Sequence, residues 1–268
     1  MKTELLEKII SNPTDRRKFL KRVGITGAGV AAATMLGGSL NMVEAATTIT
    51  DIDILNFALN LEYLEAEFYA VATYNSTLLQ LGVLTASQES GPTIGGKMVP
   101  NFGSSPVATI ATALRIDEIK HVQFLRSALG SAAVKKPAIN LDALGYGYSD
   151  IGSFLKLARQ FEDVGVSAYL GAAPLISSKA YLAAAGAILG TEAQHSGSVR
   201  LSCIQNGVTS PAVDSLDVPP TTQMPYDVGS NALTIPRTTS QVLNIVYAGG
   251  SCSGGFYPQG MNGTIRCQ

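Results

Sequence analysis

The chain has 268 residues, 46% of them hydrophobic, no tryptophan and a formal net charge of −1. That length supports one domain with a sizeable core plus an extension. The near-neutral balance offers no basic footprint for nucleic acid or an anionic membrane, and three cysteines without a C-x-x-C spacing argue against a thiolate zinc site or a thioredoxin-type dithiol.

Residues 1–46 read as an export signal rather than as part of the fold. Arg16-Arg17-Lys18-Phe19-Leu20-Lys21 carries a twin arginine, and a Gly/Ala-rich apolar run from Val23 to Val43 follows it. Val43-Glu44-Ala45 supplies small residues for cleavage after Ala45 or Ala46. The run is about long enough to span a bilayer, but Gly and Ala make it only mildly apolar, so a twin-arginine signal is preferred to a membrane anchor. Export to the periplasm or beyond is the expectation, where disulfides are permitted. Likeness to such signals implies passage of an already folded, metal-loaded chain through the twin-arginine machinery. The mature chain keeps twelve basic and sixteen acidic residues, a net charge of −4.

Residues 47–206 predict four helices. The first spans about Ile52 to Leu81, capped by Thr50 or Asp51, with Ile54, Leu55, Ala58, Leu61, Leu64, Phe68 and Val71 at helical spacing. Gly82 to Ser105 is rich in Gly, Ser and Pro and reads as a long irregular crossover. Pro106 opens the second helix, capped by Ser104 or Ser105, and Gly130 stops it. The third starts near Ser149-Asp150 and runs through Ala172, with Pro174 ending or kinking it. Ser177 or Ser178 caps the fourth, which reaches Ile204 before Asn206-Gly207.

Residues 207–268 shift to Pro, Thr, Ser, Gly and Asn. They have too few apolar residues for a core of their own and are expected to wrap the bundle. Thr239 to Tyr247 fits a short helix capped by Thr238 or Thr239 better than a strand. Cys252 and Cys267 flank a Gly-rich segment that a disulfide between them would staple, while pairing of Cys203 with a tail cysteine remains the alternative.

The chain has only two histidines, and each follows a glutamate by three residues: Glu118-x-x-His121 and Glu192-x-x-His195. With glutamate at ten of 268 positions, chance produces that double pairing roughly once in 700. On a helix, i and i+3 share a face. Two such helices supply half of a di-metal carboxylate site, and two further glutamates would complete it. The first helix offers Glu62, Glu65 and Glu67, with Glu67 turned away; the third offers only Glu162, with Asp163 beside it. Tyr69 follows Glu62 by seven residues and Tyr169 follows Glu162 by seven, which places each tyrosine on the face of its own glutamate. The halves therefore read alike and predict a pseudo-twofold axis between two ions. Four carboxylates would balance two divalent cations, and two imidazoles would complete the shells while leaving open positions. The alternatives are surface i,i+3 pairs and, for Glu62 and Glu162, buried carboxylates paired with Arg115, Arg126 or Arg159. Glu65 is an extra ligand, a neighbour of the ligands or an exposed residue; Tyr69 and Tyr169 are hydrogen-bond donors to the ligands or packed tyrosines; Asp117 and Asp163 are expected to face solvent or to lie beside the ligands rather than on the metals.

The pattern Glu62…Glu118-x-x-His121…Glu162…Glu192-x-x-His195 resembles the ligand set of the ferritin-like superfamily. Leu59 to Tyr69 and Asp117 to Leu125, with a looser likeness from Pro236 to Tyr247, resemble the ferritin-like domain family that includes bacterial exported and plant desiccation-related proteins. The resemblance implies an all-α, antiparallel four-helix bundle with a long crossover and an irregular C-terminal extension. It implies two divalent transition-metal ions, iron or else manganese, that react with oxygen or peroxide as a ferroxidase, peroxidase or catalase. A non-catalytic protective or structural role is the alternative. An iron-storage cage is disfavoured by the long tail and crossover. No stable membrane insertion is expected; a homodimer stays open.

Overall fold

A computed structural model describes residues 49–102 and 105–268. The twin-arginine segment lies outside the described residues, as does Ser104.

Four long helices make the bundle: α1 (Asp51–Tyr74), α2 (Pro106–Leu129), α3 (Ile151–Ala172) and α4 (Lys179–Gln205). Their starts follow from the capping residues. Thr50 accepts from the Asp53 amide while Asp53 receives the Thr50 amide, a reciprocal box. Ser105, Asp150 and Ser178 cap the other three. Helix α1 ends seven residues earlier than the periodicity suggests. Asn75 turns left-handed at φ 53° and its amide returns to Val71 O, and Leu78 to Gly82 form turns instead.

Helices pair as α1 with α2 and α3 with α4, and α1 meets α3 at the centre. Nearly every residue of α1 from Ile54 to Ala72 is buried, as is α3 from Ser153 to Tyr169, while α2 and α4 each keep an exposed face. Helices sheathed on all sides take apolar residues all round. Phe68 anchors the contact, stacking on Phe154 at 5.4 Å and meeting Phe161 edge-on at 5.1 Å.

The crossover is more ordered than its composition suggests. Strand β1 (Thr93–Ile94) pairs in parallel with β2 (Ile139–Asn140), so the loops after α1 and α2 run side by side. Buried Lys136 anchors them, reaching Gly91 O, Thr93, Glu89 and, at 3.8 Å, Glu67 of α1. Two-residue strands are too short to register as an alternating pattern.

Beyond α4 the tail packs on the bundle. Helix α5 (Thr239–Val246), capped by Thr238, lies against α3. Three buried arginines hold the segment before it. Arg159 clasps Asp217 (2.6 Å), Arg200 joins Asp163 (2.6 Å) to the carbonyls of Val218 and Pro225, and Arg237 binds Asp214 and Ser167. The tail crosses α3 where Gly171 has no side chain, since a Cβ there would overlap the Arg237 carbonyl. Further on, Tyr257 donates to Asn60 O and Asn262 receives the Asn60 amide nitrogen, which ties the end of the chain to α1. A Cys252–Cys267 disulfide closes that end, and Cys203 is free and buried. Among the described residues no helix is long and apolar enough to cross a membrane.

Candidate metal centre

The six residues singled out by spacing meet in the middle of the bundle. Glu62, Glu118, His121 and Glu192 each bring one donor atom into a cluster within 4.8 Å, and Glu118, Glu162, Glu192 and His195 form a second. Glu118 and Glu192 belong to both. Helix α1 supplies Glu62, α2 supplies Glu118 and His121, α3 supplies Glu162, and α4 supplies Glu192 and His195. The imidazole centroids stand 5.9 Å apart.

His121 Nδ1 lies 3.0 Å from Glu118, 3.2 Å from Glu62 and 3.3 Å from Glu192. His195 Nδ1 lies 2.9 Å from Glu118 and 3.4 Å from Glu162. Several of these atoms touch without alignment for a hydrogen bond. Glu62 Oε2, Glu118 Oε1, Glu162 Oε2, both Glu192 oxygens and His195 Nδ1 are buried without a hydrogen-bond partner. Such atoms are rare in folded proteins and costly. Four carboxylates and two imidazole nitrogens converging on two points fit two divalent cations in charge and donor type.

The tyrosines depart from the expected pairing. Tyr69 donates to Glu162 Oε1, and Tyr169 donates to Glu62 Oε1 at 2.5 Å. Each therefore serves the glutamate of the other half, not its own. Seven residues are about 10.5 Å along a helix axis, beyond the reach of a hydroxyl back to its own glutamate. Each bond occupies one carboxylate oxygen and leaves Oε2 facing the cluster.

Glu65 is buried beside this arrangement but outside both clusters. Gly165 matches Glu65 on α3 as Glu162 matches Glu62. A Cβ at Gly165 would stand 2.7 Å from Glu192 Oε2 and 3.4 Å from Glu65 Oε1, so Glu192 uses the space that this glycine leaves and Glu65 lies at its edge. The pseudo-twofold is broken there, and the matched spacing 62/162 and 65/165 was readable in the sequence. It is broken again at Asp117, half exposed, whose carboxylate lies 3.4 Å from His195 Nε2. Asp163 faces away, into the arginine network with Ser196, Arg159 and Arg200. Arg159 thus pairs with Asp163 and Asp217 rather than Glu162, and Arg126 bonds Tyr63. Glu67 is buried against Lys136 and the Leu78 amide.

Packed this closely, the buried carboxylates favour protons on the two imidazoles. Burial opposes charging of His195, but the carboxylates of Glu118 and Glu162 close beside it outweigh burial and raise its pKa to about 11. His121 is raised further, its burial outweighed by Glu118, Glu192 and Glu62. Burial, then the Glu62 charge, lifts Glu118 to about 7. Burial and the neighbouring carboxylates, Glu192 first, hold Glu65 well above the carboxylate range.

Residues 50–205 match the ferritin-like domain family, and the chain belongs to that family. Among characterised proteins it is similar to the ferritin-like catalase Nec2 of Nesocodon mauritianus, at 25% identity across 80% of this chain and 84% of that protein.

Proposed function

We propose that the chain is an exported di-metal carboxylate protein that holds two iron or manganese ions and breaks down hydrogen peroxide. The carrying observation is the pair of overlapping clusters that share Glu118 and Glu192. Glu62 and His121 would complete one ion's ligands, Glu162 and His195 the other's. The name of the relative favours peroxide dismutation over ferroxidase or peroxidase chemistry, and the twin arginine favours export.

Bound ions would supply a two-electron reservoir: one peroxide takes two electrons and two protons to give two waters, and a second returns them as it becomes dioxygen. The protein's part is positional. Tyr69 and Tyr169 fix the outer oxygens of Glu162 and Glu62, so their inner oxygens stay aimed. Asp117 orients the His195 ring. Glu65, buried beside the shared Glu192 with Oε2 unpartnered, is placed to exchange a proton with an adjacent oxygen.

Anaerobic titration with Fe(II) or Mn(II) tests the reading: about two ions per chain are expected, with oxygen evolution on adding peroxide. Glu192→Gln should lose both metal and oxygen evolution. A protein that takes up no metal rules the reading out; one that takes up metal but leaves peroxide intact supports the non-catalytic, protective role instead.

A further inference from the structure

A cavity of about 30 Å³ lies between α1 and α3 beneath the C-terminal tail. One water needs about 10–15 Å³ on this measure, so two small molecules fit. Its wall is mostly apolar, with Leu61, Leu64, Phe161, Val164, Val246 and Phe256 among its residues. Only two polar side chains face it, Gln160 and Glu65. Gln160 is fully engaged, accepting from Tyr146 at 2.8 Å and donating to Pro211 O at 3.0 Å. Glu65 Oε2 is buried and has no partner. Glu65 therefore has the cavity on one side, and Gly165 and the shared Glu192 on the other.

The opposite approach to the cluster differs in chemistry. His121 and His195 are 9% and 8% exposed, and His195 faces the solvent-accessible Asp117. Ions, protons and peroxide suit that polar side. The apolar side suits a molecule with no hydrogen bonds to lose. Glu65 Oε2 could take one hydroxyl of hydrogen peroxide, but the other would face apolar wall and forfeit roughly 1–3 kcal/mol; dioxygen would forfeit none.

We propose that this cavity is a dioxygen site serving the metal centre, with Glu65 as the group that separates the two. The proposal rests on the reading above, in which the centre produces dioxygen from peroxide or, when reduced, consumes it.

Xenon is the probe for the site itself. Diffraction from xenon-pressurised crystals of the metal-free protein should show xenon against Phe161 and Val246, and Val213→Phe, which fills the cavity from the tail, should exclude it. In the Fe(II)-loaded protein the same substitution should slow oxidation by dioxygen about tenfold while oxidation by hydrogen peroxide stays within about twofold. Ile245→Ala, which enlarges the cavity, should restore xenon binding to the Val213→Phe protein. Xenon found only elsewhere, or equal dioxygen rates with and without Val213→Phe, would overturn the proposal. If the iron-loaded parent reacts with neither oxidant, the metal-centre reading fails instead, and the xenon result still decides whether the cavity takes an apolar molecule.

Discussion

Gly165 separates two effects that usually travel together. In the middle of a helix, glycine costs about 0.8–1 kcal/mol relative to alanine. Gly165→Ala should thus favour the helix, yet its methyl group would crowd Glu192 Oε2. The expected outcome is a metal-free protein at least as stable as the parent in thermal melts but with a lower metal content by elemental analysis. The tyrosines make a milder case. Tyr69→Phe or Tyr169→Phe releases one oxygen of a ligand carboxylate without touching its partner ligands. A loss of about 10–100-fold in metal affinity is expected, as for other groups that orient ligands. Competition with a chelator of known affinity checks it.

At the level of elements, the tail is secured by charge. Arg200 is buried against Asp163 at 2.6 Å, and Arg200→Met would leave that carboxylate only Ser196 and the more distant Arg159 (3.5 Å), so a loss of about 1–3 kcal/mol is expected. Urea titration measures the loss, and limited proteolysis should then cut first between α4 and α5. Helix starts were legible in the sequence because caps are local: Thr50, Ser105, Asp150, Ser178 and Thr238 all act within four residues. The six cluster residues were legible because histidine is scarce and i,i+3 spacing is a local geometric rule. What was not legible depends on distant partners. Lys136 follows Lys135 in the loop after α2, and only the folded chain shows it buried beside Glu67. The crossed tyrosines likewise need two helices in place: spacing put each on the face of its own glutamate and named both as donors to ligands, but which glutamate each meets depends on the facing helix.

For the whole molecule, pH and metal act in opposite senses. Burial raises Glu67 to about 7 and Asp163 to about 6 in the folded state, the lowering effects of Lys136 and of Arg200 notwithstanding. Both are acids whose folded pKa exceeds the unfolded one. Their contribution is complete below about pH 4, where both states are protonated, and declines as pH rises through about 6 to 7. The protons on His195 and His121 add the same sign above their unfolded pKa of about 6.5. The metal-free protein should therefore melt at progressively lower temperature from about pH 5 to pH 8. Cations must displace those same protons, so affinity should climb over that range. Calorimetric titration in buffers of different ionisation enthalpy will count the protons released.

The exchange of partners across the pseudo-twofold means that neither helix pair owns a complete binding position. Each cluster draws donors from three helices and from both halves of the chain, and each outer glutamate is steadied by a tyrosine from the other half. Severed halves, α1–α2 and α3–α4, would each retain one Glu-x-x-His motif and still lack a full ligand set. On the proposed function, occupancy of the centre would work as a logical AND over the four helices, and a bound ion would report that the last of them has docked.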